Sequence, residues 1–373
     1  MTIVAHAYPF VIGVDTHAKT HTLSILATPN GEIIDEATFP TTHAGLTRAI
    51  TWAARRTEAG LDVLWVIECA ATFGAQLAHQ VNDAGYLVVE AARMSSKASR
   101  GIGKSDPLDA RRIAAAVLPL ETDRLRHLRA DNGVRAGLRV LVAARDLMTT
   151  QRTANINALT ALLRAVDLGI DARKPLTPTQ IAEITRWRRR QEDIGIATAR
   201  AEAVRLAQHI TTLDDELTEN LTATNTLLDQ SPARALLDKT GIGPVTAAIA
   251  MTAWSHDGRV RDEAAFASLA GVNPIPASSG NTVRHRLNRG GDRRLNRALH
   301  MAVVNRMTHD KPTRAYVERR TAEGLTKKDI RRILKRYLAR QIYRTLTATA
   351  RTTNPHHPCL TDIEASVPFR FSR

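Results

Sequence analysis

Residues 10–39 read FVIGVDTHAKTHTLSILATPNGEIIDEATF, and this stretch decides the fold of the first part of the chain. Residues 10–14 are a short apolar run that stops at Asp15. Residues 21–27 alternate with the period of a strand, and residues 32–39 resume it after Pro29-Asn30-Gly31, a strong turn signal. Thr41 or Thr42 can cap a helix running to about Arg56. A second apolar run, 63–68, again ends in an acid, Glu68. A helix over 72–84, a strand over 86–90 and a helix over 106–117 follow, with Pro107 in the first turn, where proline is tolerated. Three strands and then alternating helix and strand predict a mixed sheet with helices packed on it.

Asp15 and Glu68 lie at the C-terminal ends of two predicted buried strands, the edge at which open α/β sheets bind ligands. Asp106 and Asp109 are three apart and share a helix face. Taken as a pair they read as ordinary residues of a helix start, Asp106 capping and Asp109 answering the positive N-terminus. Taken with Asp15 and Glu68, they make four carboxylates suited to two hard cations about 4 Å apart, the arrangement that activates an attacking oxygen and stabilises a leaving one on phosphorus.

The 373-residue chain has room for two or three domains, and a hydrophobic content of 43% supports real cores. A net charge of +15 attracts polyanions, with binding that weakens as salt rises. An aromatic content of 4% argues against a single-strand binder built on base stacking. Cys69 and Cys359 form no disulfide framework and fit a reducing compartment. No apolar run reaches membrane-span length, and the N-terminus carries no targeting pattern, so a cytoplasmic, nucleoid-associated location is expected.

Residues 131–166 read as one long helix with Leu138, Leu141, Met148, Ile156, Leu159 and Leu163 inward and Arg135, Arg139, Arg145, Arg152 and Arg164 on the other face. A second long helix is expected over 179–228, with Ala203, Leu206, Ile210, Leu213 and Leu217 as a coiled-coil seam. The pair forms a hairpin that spaces two domains or serves as an oligomerisation arm. Its basic face, and Trp187-Arg188-Arg189-Arg190, suggest contact with nucleic acid as well.

Residues 236–247 hold Gly241-Ile242-Gly243-Pro244, half of a helix-hairpin-helix pattern whose glycine turn aims backbone N–H groups at a phosphate. A helix over 262–270 leads to PIPASSGNTVRHRLNRGGDRRLNR, residues 274–297. Here Ser278 and Ser279 precede Gly280, among Arg284, His285, Arg286, Arg289, Arg293 and Arg294. A serine needs activation to attack, and arginine forks hold phosphate oxygens. The stretch therefore reads either as a serine aimed at a phosphodiester or, more simply, as an arginine-rich loop that grips a backbone. Basic helices over 293–307 and from Thr313 to Thr347 follow, the last with Ile330, Ile333, Leu334, Leu338 and Ile342 inward and Lys327, Lys328, Arg331, Arg332 and Arg336 outward. Pro355-His356-His357-Pro358-Cys359 lacks a fourth ligand at zinc spacing and reads as a polar tail.

The order strand-Asp15, strand-Glu68, then Lys104-Ser105-Asp106-Pro107-Leu108-Asp109-Ala110 resembles the RuvC-like, ribonuclease-H-type domain of the DEDD transposases of the insertion-sequence-110 type, the bridge-RNA-guided serine recombinases. Gly241-Ile242-Gly243-Pro244, Gly271 to Pro274, Ser-Gly and the arginine-rich helix resemble the family's C-terminal transposase domain. The resemblance implies four segments. These are a RuvC-like mixed sheet over 1–125, a helical coiled-coil linker over 126–235, a mainly helical transposase domain over 236–348 and a tail over 349–373. It implies that Asp15, Glu68, Asp106 and Asp109 hold magnesium (Mg2+). It also implies that the serine before the glycine, Ser279, is the nucleophile, with Ser278 left open beside it. DNA, a guide RNA and a homo-oligomer, dimer or tetramer, are the implied partners. Gly241, Gly243, Arg284, Arg286, Arg289, Arg293 and Arg294 are the expected nucleic-acid contacts. Thr16, His17, Lys19, Lys104 and Ser105 read as solvated loop residues near the acids. Two rivals stand beside this reading: a RuvC-like nuclease or junction resolvase using water, and a non-enzymatic nucleic-acid binder.

Overall fold

The structure, a computed structural model, describes residues 2–91, 105–129, 133–278 and 285–353. Ser279, Gly280, Arg284, Lys104 and the tail with Cys359 lie outside the described residues. The chain divides into two compact units, Met1–Asp131 and Asn132–Arg373.

The first unit is a six-stranded mixed sheet. Its strands are β1 (Phe10–Thr16), β2 (Thr20–Ala27), β3 (Glu32–Pro40), β4 (Val63–Ile67), β5 (Leu87–Glu90) and β6 (Arg126–His127), in the order β3-β2-β1-β4-β5-β6. β1 pairs antiparallel with β2 and parallel with β4, as a hairpin followed by a helical crossover requires. Both central strands are buried on both faces, which explains their unbroken apolar runs. The helices are α1 (Val4–Ala7), α2 (His43–Arg56), α3 (Ala75–Asp83) and α4 (Asp106–Ala115). Alternate residues divide between two cores. Ile12, Val14, Trp65 and Ile67 pack with Leu46 of α2 and Leu77 of α3. Val11, Leu64 and Val66 pack with Ile113 and Ala114 of α4. Thr42 caps α2 as expected, accepting from the Gly45 N–H at 3.2 Å. The helix expected from residue 72 begins at Ala75, because Cys69 turns the chain sharply at φ +48° and its carbonyl accepts from the N–H groups of Thr72 and Gly74.

The second unit is helical apart from one two-stranded ribbon. α5 (Gly133–Ala165) and α7 (Ile194–Asp229) lie antiparallel, since Gly137 meets Leu227 and Arg152 pairs with Asp214. The second long helix is not continuous. α6 (Pro178–Ile184) stops early and α7 restarts where Asp193 caps it through the Gly195 N–H at 2.8 Å. Between them Trp187 tucks against the tip core, with the Arg200 guanidinium 5.1 Å from its ring centre, while Arg188, Arg189 and Arg190 stay exposed outside any helix. Ala203, Leu206, Ile210 and Leu213 are buried between the helices.

The arm's inner arginines also depart from expectation. Buried Arg135 donates to the Thr252 carbonyl, Arg145 to the Leu217 carbonyl, Arg164 to the Ala172 carbonyl, and Arg152 pairs with Asp214. Sign and spacing marked these as a surface stripe, but the long stems cover apolar surface and the heads satisfy oxygens of the protein. The root of the arm, Leu138, Val142 and Leu228, is buried in one core with α8 (Pro244–Trp254), α9 (Glu263–Leu269), α10 (Arg293–His309) and α12 (Lys327–Thr353). α11 (Lys311–Ala322) joins the last two. In α12, Ile330, Leu338 and Ile342 are buried as read. Arg336, expected outward, donates to the Glu263 carbonyl at 3.0 Å.

Candidate functional site

The carboxylates of the first unit meet because a glycine lets α4 lie on the sheet. A Cβ on Gly13 would stand 2.1 Å from the Ala110 carbonyl oxygen and 2.6 Å from the Ala114 nitrogen, so only a bare α-carbon admits the helix at this distance. That contact brings the helix's first turn, with Asp106 and Asp109, to the C-terminal ends of β1 and β4. Strand alternation does the rest. Val11 and Gly13 face α4, so Asp15 does; Leu64 and Val66 face it, so Glu68, just past β4, does too. The parallel ladder continues one step, with the Glu68 N–H donating to the Val14 carbonyl at 3.1 Å. Thr16 Oγ1 donates to the Glu68 carbonyl at 3.0 Å.

Asp15 lies inside β1 and is 6% exposed, a low value for a carboxylate with no guanidinium partner among the described residues. His17 Nε2 lies 3.2 Å from Asp15 Oδ2 and 3.6 Å from Asp106 Oδ1. One ligand atom from each of Asp15, His17 and Asp106 falls within 4.8 Å of the others. Burial raises the Glu68 carboxyl above its ordinary value, the charges of Asp15 and Asp109 raise it further, and His17 offsets part of the effect. Arg112 lies 3.2 Å from Asp109 through Nη1, and its other terminal nitrogen is buried without a partner among the described residues. Asp15 and Asp106 therefore share one cluster with His17, and Glu68 feels the charges of Asp15 and Asp109. The donors are carboxylate oxygens with one imidazole beside them, a set that fits a hard divalent cation.

His17 is an exposed loop residue, as read from sequence, and its ring lies between two of the acids. Its N–H donates to the Thr20 carbonyl in the β1–β2 turn, at the same sheet edge as Asp15, and that position two residues past a strand-end acid was the available signal. Ser105 takes the N-cap position of α4, so Asp106 is in the first turn and does not cap the helix.

Comparison with known proteins decides the family. A family model described as "Transposase" and named for the IS110 DEDD type matches residues 12–167, and one described as "Transposase IS116/IS110/IS902 family" matches residues 233–318. This chain belongs to the IS110-type DEDD transposases. It is 26% identical over 313 residues to a Streptomyces coelicolor protein named "Insertion element IS110 uncharacterized 43.6 kDa protein", covering 71% of this chain and 76% of that one. The family makes it a DNA transposase acting in DNA recombination, with DNA as substrate and a divalent metal as the expected cofactor. Among the described residues no helix is long and apolar enough to cross a membrane.

In the transposase's second unit, β7 (Pro274–Pro276) and β8 (His285–Leu287) pair antiparallel, with Pro276 opposite His285. The serine–arginine stretch therefore falls between the two strands of a ribbon that the sequence reading did not anticipate. Asn288 Nδ2 donates to the Ser268 carbonyl at 3.0 Å and to Asn273 Oδ1 at 2.7 Å, tying down the ribbon's base. A Cβ on Gly291 would fall 2.4 Å from the Gly271 nitrogen, which keeps two turns in contact. Arg286, Arg289 and Arg293 are exposed. Arg294 pairs with Asp146 of α5 at 2.7 Å, so one expected nucleic-acid contact is held by the arm's root. Gly241, at φ +79°, packs on the Ala302 carbonyl, and Gly243 is the N-cap residue of α8. A short 3-10 turn, Pro232–Leu236, stands where the pattern called for a first α-helix. Arg306 Nε donates to the Thr240 carbonyl at 2.6 Å and fixes the glycine turn.

Proposed function

We propose that this transposase cuts and rejoins DNA through a phosphoserine intermediate, with Ser279 as nucleophile and Asp15, Glu68, Asp106 and Asp109 holding magnesium. The observation that carries the reading is the acid cluster at the sheet edge, where burial, then the charges of Asp15 and Asp109, raise the Glu68 carboxyl. Magnesium held by these acids would neutralise phosphate oxygens and stabilise charge on the leaving oxygen. Asp15 in β1 and Glu68, just past β4, supply two donors, while Asp106 and Asp109 supply two more from one helix turn. His17 holds Asp15 and Asp106 in register through its ring. The Ser279 Oγ forms a bond to phosphorus as the bond from phosphorus to a deoxyribose oxygen breaks and that oxygen leaves as a hydroxyl. The new ester conserves the bond for rejoining when another strand's hydroxyl attacks it.

Functionally we divide the chain into a metal-binding segment, 1–125, an arm for self-association as dimer or tetramer, 126–235, and a serine-bearing segment, 236–348. Backbone contacts fall to Gly241, Gly243, Arg284, Arg286, Arg289 and Arg293, and a guide RNA supplies base pairing. The test is covalent trapping of labelled DNA on the full chain with magnesium and the RNA that flanks the element. Label lost in Ser279→Ala establishes the nucleophile, and loss only in Ser278→Ala moves it by one residue. DNA cut without attached label replaces this reading with the water-using nuclease. Binding without cutting or attachment replaces it with an architectural role.

A further inference from the structure

Around α12 and α10 several arginines are paired with acids, and their neighbours can be compared with them. On α12 and its neighbours, Arg332 pairs with Asp329 at 2.9 Å, and Arg340 and Arg344 share Glu263 at 2.8 and 2.9 Å. On α10, Arg294 and Arg297 share Asp146 at 2.7 and 2.9 Å. Arg331 and Lys335, one turn apart on α12, and His300, facing them from α10, have no carboxylate partner among the described residues. Arg331 reaches only the Lys327 carbonyl, at 3.3 Å. Half-buried Lys335 reaches the Asn296 amide oxygen, at 3.0 Å. Burial and then the charges of Lys335 and Arg331 lower His300, and burial and then those of Arg332 and Arg331 lower Lys335. Holding cations together without an anion costs folding free energy that an anionic ligand restores.

The cluster also connects to the ribbon. The amide that accepts from Lys335 donates, through Nδ2, to the Ala270 carbonyl at 2.7 Å and the Gly271 carbonyl at 3.2 Å. Gly271 packs on Gly291, just past the ribbon whose strands flank the serine stretch. An anion held by Lys335 therefore sits on the same polar chain that fixes the base of that ribbon.

We infer that Arg331, Lys335 and His300 form a phosphate clamp for the backbone of the DNA strand handled by the serine stretch. The clamp rests on the proposed function for its choice of DNA, and its test separates the two. The experiment measures binding of the full chain to a short labelled duplex DNA across a salt series, for wild type, Arg331→Gln, Lys335→Met and the double variant. Lys174→Gln, on the arm, is the control. Each phosphate contact contributes about 0.9 to the slope of log affinity against log salt, so each single variant should lower it by about 0.9 and the double by about 1.8. Methionine preserves the half-buried stem of Lys335, and an unchanged Tm of Arg331→Gln separates lost contact from lost fold. Slopes equal to wild type in both single variants overturn the clamp while DNA binding stands. A wild type without salt-dependent binding overturns the clamp and the proposed function together. A slope that falls on duplex RNA but not on duplex DNA overturns the assignment to DNA.

Discussion

The acids of the first unit and the arginines of the arm are both runs of like charge, and the structure treats them oppositely. Each of Arg135, Arg145, Arg152 and Arg164 finds an oxygen within its own unit, two of them across the α5–α7 pair, one on α8 and one in the loop after α5. Asp15, Glu68, Asp106 and Asp109 lie at one sheet edge with His17 and Arg112 beside them, and burial, then the charges of Asp15 and Asp109, raise Glu68. Compensated charge marks architecture here, and uncompensated charge marks a place for a ligand.

Substitutions on either side put that contrast to the test. The largest effect falls on the acids: Asp15→Asn should lower magnesium-dependent strand cleavage by about 100-fold or more, with the Tm in chelator held or raised. A variant as active as wild type would place the metal elsewhere. Gly13→Val comes next. Its side chain collides with the backbone of α4, so unfolding free energy should fall by about 3 kcal/mol in denaturant titration, and stabilisation by added magnesium should vanish with it. Arg145→Met tests the other side of the comparison. It strips a donor from the Leu217 carbonyl and from Asn220, lowering stability by about 1–2 kcal/mol while leaving the salt slope of DNA binding unchanged. A slope that falls would return this arginine to the nucleic acid.

The smallest effect carries a sign. Glu68 has a folded-state pKa above its unfolded value, so its charged form opposes folding. In chelator, Glu68→Gln should raise the Tm slightly. The gain is full above the raised pKa and fades as pH falls through it towards the ordinary carboxylate value, below which both states are protonated. Divalent cation should reverse the order, stabilising wild type above the variant. A Tm gain independent of pH would show that the buried charge of Glu68 is not its source.

Much of the first unit was legible because its physics is periodic. Unbroken apolar runs mark β1 and β4, alternation marks β2, and the strand period of two places Asp15 and Glu68 on one face. What periodicity does not carry is close approach: nothing in the run 10–14 says that Gly13 is where a helix touches the strand. His17 is the exposed loop residue the sequence suggests, but its place between Asp15 and Asp106 shows only once its neighbours are known. The break at 185–193 escaped because arginines and an aromatic are compatible with a helix, and only the packing of Trp187 and the Asp193 cap end it. The β7–β8 ribbon escaped for the opposite reason: three-residue strands, one bounded by prolines, have no room for a pattern.

The shared core at the arm's root has a consequence for anyone who cuts this chain. Leu138 and Val142 come from the start of α5 and Leu228 from the end of α7, and all three are buried with Trp254, Phe266 and Leu338. A fragment opened at residue 236, the border read from sequence, would expose that apolar surface and aggregate. The shortest piece that keeps its own interior whole begins near residue 133. By the same reasoning, recombination between relatives that exchanges the serine-bearing part without the arm's first two turns is expected to yield insoluble chimaeras, so the heritable module is the entire stretch from α5 onward.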